Sequence, residues 1–379
     1  MPYITVPQTA GTHQVTLDDI ITGRLWDTLP PVRNINSSNT VTFLVTRQET
    51  IEKHLRHYNI NQLIGILEAF NDAHRDLFDK DRKELYHTFY IPKRTRGFRK
   101  IDQPLPELME ALRQLKAIFE DSFGASHHTS AFAYVKGRCT IDAVKRHQMN
   151  KSHWFLKTDF SDFFGSTSED FAFKMISQIF PFSEVVKTSR GITALQTALN
   201  MCFLNGGLPQ GTPISPALTN LVFLPVDHMI CNELIKQGFV YTRYADDILI
   251  SHRETFDPNE ICIEIKRILA RFEAPYVIKP EKTRYGSNAG RNWNLGVMLN
   301  KDNEITIGRK NKEFLKAACN SYINDKRKKV QWELHDVLVL VGKISYFKMV
   351  EPQYVEGFIK WFNEKNNVNL MKLLREETR

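Results

Sequence analysis

Tyr244, Ala245, Asp246 and Asp247 place two adjacent acids between short apolar runs, Val240-Tyr241-Thr242 before them and Ile248-Leu249-Ile250 after. Two carboxylates beside buried segments repel one another and lose hydration. A divalent cation removes that penalty, and Mg²⁺ suits oxygen ligands while keeping positions for water or phosphate. A third acid, Asp159, closes the apolar run Trp154-Phe155-Leu156-Lys157-Thr158. Only folding can bring it to the other two. If the strands that carry them are neighbours in one sheet, the acids sit at one edge and can share two metal ions. Such a pair supports attack of a sugar hydroxyl on a nucleoside triphosphate. Each feature alone has a plainer reading: Asp246 and Asp247 as a solvated turn, Asp159 as a helix cap.

A second group of residues suits the same chemistry. Lys93, Arg94, Arg96, Arg99 and Lys100 fall within eight residues, with no acid among them. A triphosphate needs concentrated positive charge, and Arg can meet its oxygens through paired donors. A solvated basic loop is the alternative. Gln210 lies between Leu208-Pro209 and Gly211-Thr212-Pro213. There a glycine allows close backbone approach and the amide can orient a nucleotide or template. Residues 309–329 hold eight Lys or Arg against two acids. Lys310, Lys312, Lys316, Lys326, Arg327, Lys328 and Lys329 within that stretch are candidates for contacts to a nucleic-acid backbone, which give affinity without sequence choice.

These residues need elements to hold them. Residues 51–86 have helical spacing with a break near Tyr58 to Asn61, and 107–120 have it again. The basic cluster lies in a hairpin over 87–104, stopped by Pro104 and Pro106. Residues 153–160 predict a buried strand, 168–180 a helix, and 239–251 two strands joined by a tight polar turn. After residue 300 a strand leads into a basic helix, and 331–379 is helical with an interruption near Pro352.

Composition sets the outer bounds. The chain has 379 residues and a formal net charge of +8, from 51 Lys and Arg against 43 Asp and Glu, an excess that favours an anionic partner. Its five cysteines, Cys139, Cys202, Cys231, Cys262 and Cys319, lack C-x-x-C spacing and predict reduced thiols in a cytoplasmic protein. No run of 18 apolar residues argues for a membrane span. His127 and His128 read as surface or turn residues, and no zinc site is expected.

Taken in order along the chain, the motifs resemble the reverse transcriptase family, specifically its bacterial branch of retron and defence-associated enzymes. The matching pieces are IPKRTRGFRKID at 91–102, AFAYVKGRCTIDAVKRH at 131–147 and LKTDFSDFF at 156–164. They continue with GLPQGTPISPALTNL at 207–221, YTRYADDILIS at 241–251, EKTRY at 281–285 and NLGVMLN at 294–300. The resemblance implies an α+β right-hand polymerase: an antiparallel palm sheet with packed helices, fingers, and a helical thumb. Residues 1–85 would hold an N-terminal extension and the start of the fingers, 86–155 the fingers, and 156–300 the palm with an intervening fingers segment near 185–215. Residues 301–379 would form the thumb.

The same resemblance implies roles. Asp159, Asp246 and Asp247 are the catalytic acids, and with the backbone of Phe160 they hold two Mg²⁺ ions, for which Mn²⁺ can substitute. Lys93 and Arg99 contact the incoming nucleotide, with Arg96 as the alternative, and Gln210 lies beneath the new base pair. Lys282 stands near the leaving pyrophosphate. Phe164 is an aromatic gate against the sugar 2′ position, and its neighbour Phe163 is ordinary core. The implied partners are an RNA template, a DNA primer or product and deoxynucleoside triphosphates. Asn294-Leu295-Gly296 stands where retron enzymes have a V-T-G pattern. That favours a stand-alone enzyme of bacterial antiphage defence, copying a dedicated noncoding RNA beside an effector protein. A retron enzyme making RNA-linked DNA is the alternative, and a template-independent polymerase a further one.

Overall fold

A computed structural model describes residues 3–8, 11–16, 60–93, 97–122, 127–287, 297–300 and 302–378. Strands β1 (Tyr3–Gln8) and β2 (Gly11–Thr16) pair antiparallel. Helices α1 (Ile60–Ala73) and α2 (Arg75–Asp79) follow; the expected helical stretch before Ile60 lies outside the described residues. Strands β3 (Tyr86–Pro92) and β4 (Phe98–Pro104) form the basic hairpin. Helix α3 (Pro106–Ser122) starts on a proline, whose missing N–H costs nothing in a first helical turn.

The chain continues through α4 (Thr140–Met149), β5 (Trp154–Asp159), α5 (Glu169–Ile176), α6 (Phe182–Val185), α7 (Ser189–Asn200) and α8 (Ser215–Ile235). Next come β6 (Val240–Tyr244), β7 (Asp247–His252), α9 (Pro258–Arg271), β8 (Arg284–Ser287), β9 (Met298–Leu299) and β10 (Ile305–Thr306). Helices α10 (Gly308–Arg327), α11 (Leu334–Val350), α12 (Pro352–Asn366) and α13 (Leu370–Glu377) complete it. The break expected near Pro352 is the start of α12, where proline again takes the first position. No helix among the described residues is long and apolar enough to cross a membrane. All five cysteines are free thiols.

The chain divides into two compact units. One takes the chain up to Arg138, Leu156–Ile250 and Phe256–Arg284. In its sheet β6, β7 and β5 are neighbours in that order, so the strand ending in Asp159 lies directly beside the strand that begins at Asp247. Helix α8 lies against β6 and α5 and is buried from Leu218 to Leu234 with hardly a break. Phe160, Phe163, Phe223 and Tyr276 pack as one aromatic cluster, the closest rings (Phe223 and Tyr276) 4.6 Å apart.

The other unit takes Cys139–Phe155, Ser251–Thr255 and Tyr285 onward. Its α11, α12 and α13 pack on one another around Val337, Leu340, Ile344, Phe347, Phe358, Phe362, Leu370 and Leu374. In α4, His147 is buried and its Nδ1 lies 2.6 Å from the Ser251 hydroxyl, which in turn donates to Ser152 at 2.7 Å.

His128 is a correction. It was expected at the surface or in a turn, and the surface part fails: it is fully buried, with Nδ1 accepting the Ser130 N–H at 3.2 Å; His127 is partly covered. The reason is tertiary: the loop is pinned by neighbours distant in sequence. Arg243 donates its N–H to the Ser130 carbonyl (2.7 Å), and the Arg138 guanidinium binds the carbonyls of His128, Thr129 and Ala131.

Candidate active site

Two strands bring the acids together. At their far ends His153 donates its N–H to the His252 carbonyl at 3.0 Å, and at the near ends Phe160 donates to the Asp246 carbonyl at 3.1 Å. This antiparallel register sets Asp159 beside the turn that joins β6 to β7. That turn has two residues, Ala245 and Asp246, and Ala245 sits at φ +58°. A left-handed first residue is what a two-residue hairpin loop requires to match strand twist.

Asp159 is 3% exposed. Lys282 Nζ lies 2.8 Å from its Oδ2, and Lys279 Nζ approaches Oδ1 at 3.1 Å. The second contact lacks hydrogen-bond alignment, so Asp159 Oδ1 is a buried oxygen that accepts no hydrogen bond among the described residues. Lys279 is also tied by backbone, its N–H donating to the Asp159 carbonyl at 2.9 Å. Burial, followed by the charge of Asp159, pushes the Asp246 carboxyl up to about 6. Burial pulls the Lys282 ammonium down, but its bond to Asp159 and the charges of all three acids outweigh that and raise it.

Asp247 has a different partner. It lies 3.1 Å from Lys157, which is two residues before Asp159 and therefore on the same face of β5. The structure thus couples Asp159 with Asp246 and directs Asp247 one step along the strand. No group of three His, Cys, Asp or Glu among the described residues is arranged around one point. The donor set still fits a divalent cation: two mutually repelling carboxylates, one with a buried oxygen that accepts no hydrogen bond among the described residues, are what such an ion satisfies. Phe160, the backbone candidate, is buried; its N–H donates to the Asp246 carbonyl, and it bridges Ile278 in antiparallel register.

The basic hairpin sorts its residues by face. In the β3–β4 register Ile91 opposes Arg99, Tyr90 opposes Lys100, and the Lys93 N–H donates to the Gly97 carbonyl at 2.9 Å. Lys93 and Arg99 therefore share one face, while Tyr90, Phe98 and Lys100 occupy the other. Arg94 and Arg96 lie outside the described residues. The Gln210 carbonyl accepts the Asp102 N–H at 2.7 Å, which ties this segment to β4. Gly211 makes the approach feasible: its φ is +121°, and a Cβ there would stand 2.9 Å from the Asp102 carbonyl oxygen.

Of the two adjacent phenylalanines, Phe163 is buried in the aromatic cluster and Phe164 is half-exposed. Phe164 also touches Tyr134, with ring centroids 6.3 Å apart. In the other unit, the basic residues of α10 divide. Lys312 pairs with Glu351 at 2.6 Å and lies over the Tyr354 ring, Lys326 pairs with Glu377, and Arg327 donates to the Asn366 carbonyl. Lys310, Lys316, Lys328 and Lys329 are exposed.

Arg243 was not a sequence candidate, yet it fixes the acidic turn. It is buried beside Tyr244, donates to the Ala245 carbonyl at 3.1 Å, and reaches Asp227 and Asn220 on α8. A charged residue between strand positions was the available signal, but its partner lies on a helix that the sequence pattern did not mark.

The family described as reverse transcriptase (RNA-dependent DNA polymerase) matches residues 91–323, more than half of the chain. Among curated proteins, the chain is similar to the retron Ec83 reverse transcriptase of Escherichia coli, 28% identical over 303 residues, which cover 78% of this chain and 93% of that one. It is also similar to the retron Mx65 reverse transcriptase of Myxococcus xanthus, 26% identical and covering 77% and 67%. Among solved structures, an apo telomerase from Candida tropicalis covers 57% of this chain and 53% of its own, at 13% identity and a TM-score of 0.41.

Proposed function

Because this chain belongs to the reverse transcriptase family, an RNA-directed DNA polymerase family, we propose that Asp159 and Asp246 form its nucleotidyl-transfer centre. The observation that carries this is the pairing of β5 with β7, which sets one buried carboxylate against another whose proton affinity is raised. Divalent ions, Mg²⁺ or Mn²⁺, bound there would activate a primer 3′-hydroxyl and offset the charge of the triphosphate. Asp247 assists from its place beside Lys157. Phe160 holds the register of Asp246 through its backbone, and its carbonyl is the remaining ligand candidate.

The other residues serve the nucleotide. Lys93 and Arg99, on one face of the hairpin, bind phosphate oxygens, and Gln210 supports the new base pair from a loop fastened to the same hairpin. Lys282 Nζ is a proton donor beside the departing pyrophosphate. Phe164 stands against the sugar 2′ position. Residues 86–155 serve as fingers, 156–300 as palm and 301–379 as thumb, whose exposed lysines track the template and primer backbone. The test is primer extension on RNA with deoxynucleotides and Mg²⁺. Asp159→Asn and Asp246→Asn should each abolish incorporation while leaving the fold intact, and retained incorporation would remove the proposal.

A retron reading has its own support, since the curated relatives named above are retron reverse transcriptases. It moves the weight away from a stand-alone defence enzyme. In that reading the template is a dedicated noncoding RNA in the bacterial cytoplasm, the product is RNA-linked DNA, and an effector protein completes antiphage defence. Sequencing nucleic acid that copurifies with the protein checks it: an RNA–DNA junction supports the reading, and DNA without one excludes it.

A further inference from the structure

Tyr134 is placed at a backbone cost that packing alone does not repay. Its φ is +60°, in the left-handed region, and yet the residue is 57% exposed. For a bulky side chain that conformation is disfavoured and persists only where surrounding structure over-determines it. Here it does. Phe132 donates its N–H to the Arg243 carbonyl at 2.9 Å, Ala131 bridges Arg243 in parallel register, and Asn220 Nδ2 donates to the Ala133 carbonyl at 2.9 Å. Arg138 gathers three carbonyls of the same loop.

What this loop presents is the Tyr134 ring, laid against Phe164. Desolvation and the charges of Asp246 and Tyr244 raise its hydroxyl above the usual phenol range, with Arg99 opposing. The side chain thus lies beside Phe164 and within reach of the charges of the acid turn and of Arg99.

We infer that Tyr134 is a specificity-determining residue that braces Phe164 and forms with it the wall against the sugar of an incoming deoxynucleotide. This rests on the proposed role of Phe164. The pair differs in kind from a lone gate: the Phe164 ring has Phe163 on its core side and Tyr134 on the other. A contact between two aromatic rings contributes about 0.5–1.5 kcal/mol, which corresponds to roughly 2- to 13-fold in selectivity.

The experiment compares kcat/KM for dCTP and CTP on a primed RNA template, for the parent, Tyr134→Gly, Tyr134→Phe and Phe164→Ala. Glycine adopts the left-handed conformation freely, so Tyr134→Gly removes the ring without a folding penalty, and its thermal midpoint should equal or exceed the parent's. Its preference for dCTP should fall about 2- to 13-fold, mainly through a lower KM for CTP, while Tyr134→Phe keeps the parent ratio. A relaxed ratio in Phe164→Ala with an unchanged ratio in Tyr134→Gly would overturn the inference and leave the gate standing. An unchanged ratio in Phe164→Ala would bring down both.

Discussion

Arg243 and Asp227 meet as an ion pair with no exposed surface on either side chain: Nη2 lies 2.7 Å from one carboxylate oxygen, and Nε adds contacts at 2.9 and 3.1 Å. Tyr241 donates its hydroxyl to the same carboxylate at 2.6 Å, and the Arg243 guanidinium stacks 4.7 Å above the Phe223 ring. Breaking such a pair leaves one buried charge uncompensated, which costs about 3–5 kcal/mol. Asp227→Asn and Arg243→Met should each lower unfolding free energy by that order in urea titrations. The double change Asp227→Leu with Arg243→Met should recover much of the loss, because no charge is left stranded. Equal stability for single and double variants would contradict the assignment.

Periodicity decided what could be read from the sequence. The basic hairpin, the strand ending in Asp159 and the two strands around the acid turn were legible, because each combines a clear hydrophobic period with turn residues at its ends. Helix α8 was not. It is buried on nearly every side from Leu218 to Leu234, so its apolar residues show no face and no 3.6-residue period. With α8 unread, Asp227 had no place, and Arg243 passed for an ordinary strand residue. Pairing of Asp247 with Lys157 was equally hidden, since it depends on the β5–β7 register rather than on any local pattern.

Gly211 offers a second test. Its left-handed φ, together with the 2.9 Å that would separate a Cβ from the Asp102 oxygen, leaves no room for a side chain against β4. Gly211→Ala should push the Gln210 loop off the hairpin, breaking the 2.7 Å bond between the Asp102 N–H and the Gln210 carbonyl. A loss of about 1–3 kcal/mol in stability is expected from the backbone strain. KM for deoxynucleotides should rise more than kcat falls, since the Gln210 loop would no longer brace the hairpin that carries Lys93 and Arg99. Steady-state kinetics with unchanged KM would count against that coupling.

His147 ties stability to pH. Burial lowers its ring pKa to about 3 from an ordinary 6.5, the charge of Arg146 acting in the same direction. The folded state therefore keeps the ring neutral, while the unfolded chain binds a proton below about 6.5. Its contribution is fully present above that value and is lost as pH falls from there toward 3. Between pH 6 and 4 the slope from one such group is about 1.4 kcal/mol per pH unit. His147→Gln should lower stability at pH 7, by disturbing the bond to Ser251, yet show a flatter decline on acidification. Parallel stability–pH curves for variant and parent would assign the acid sensitivity elsewhere.

The lysines of α10 and of the two positions after it should separate by partner rather than by place in the chain. Lys312 is held between Glu351 and the Tyr354 ring, and Lys326 by Glu377, so their charge is already balanced within the unit. Lys310, Lys316, Lys328 and Lys329 are exposed, and a polyanion can recruit them without breaking an ion pair. Each phosphate neutralised in a duplex adds about 0.9 to the magnitude of the slope of log affinity against log salt. Changing the four exposed lysines to Gln should therefore weaken binding to a primed template and flatten that slope by about 3 to 4, if all four meet phosphate. Lys312→Gln should leave the slope unchanged and lower thermal stability instead, because it removes the cation paired with Glu351, whose other oxygen keeps its bonds from Thr306 and Ile307. Binding isotherms over a salt series decide between the two sets: a slope that responds to Lys312 and ignores the exposed four would place the nucleic acid on another face of the unit.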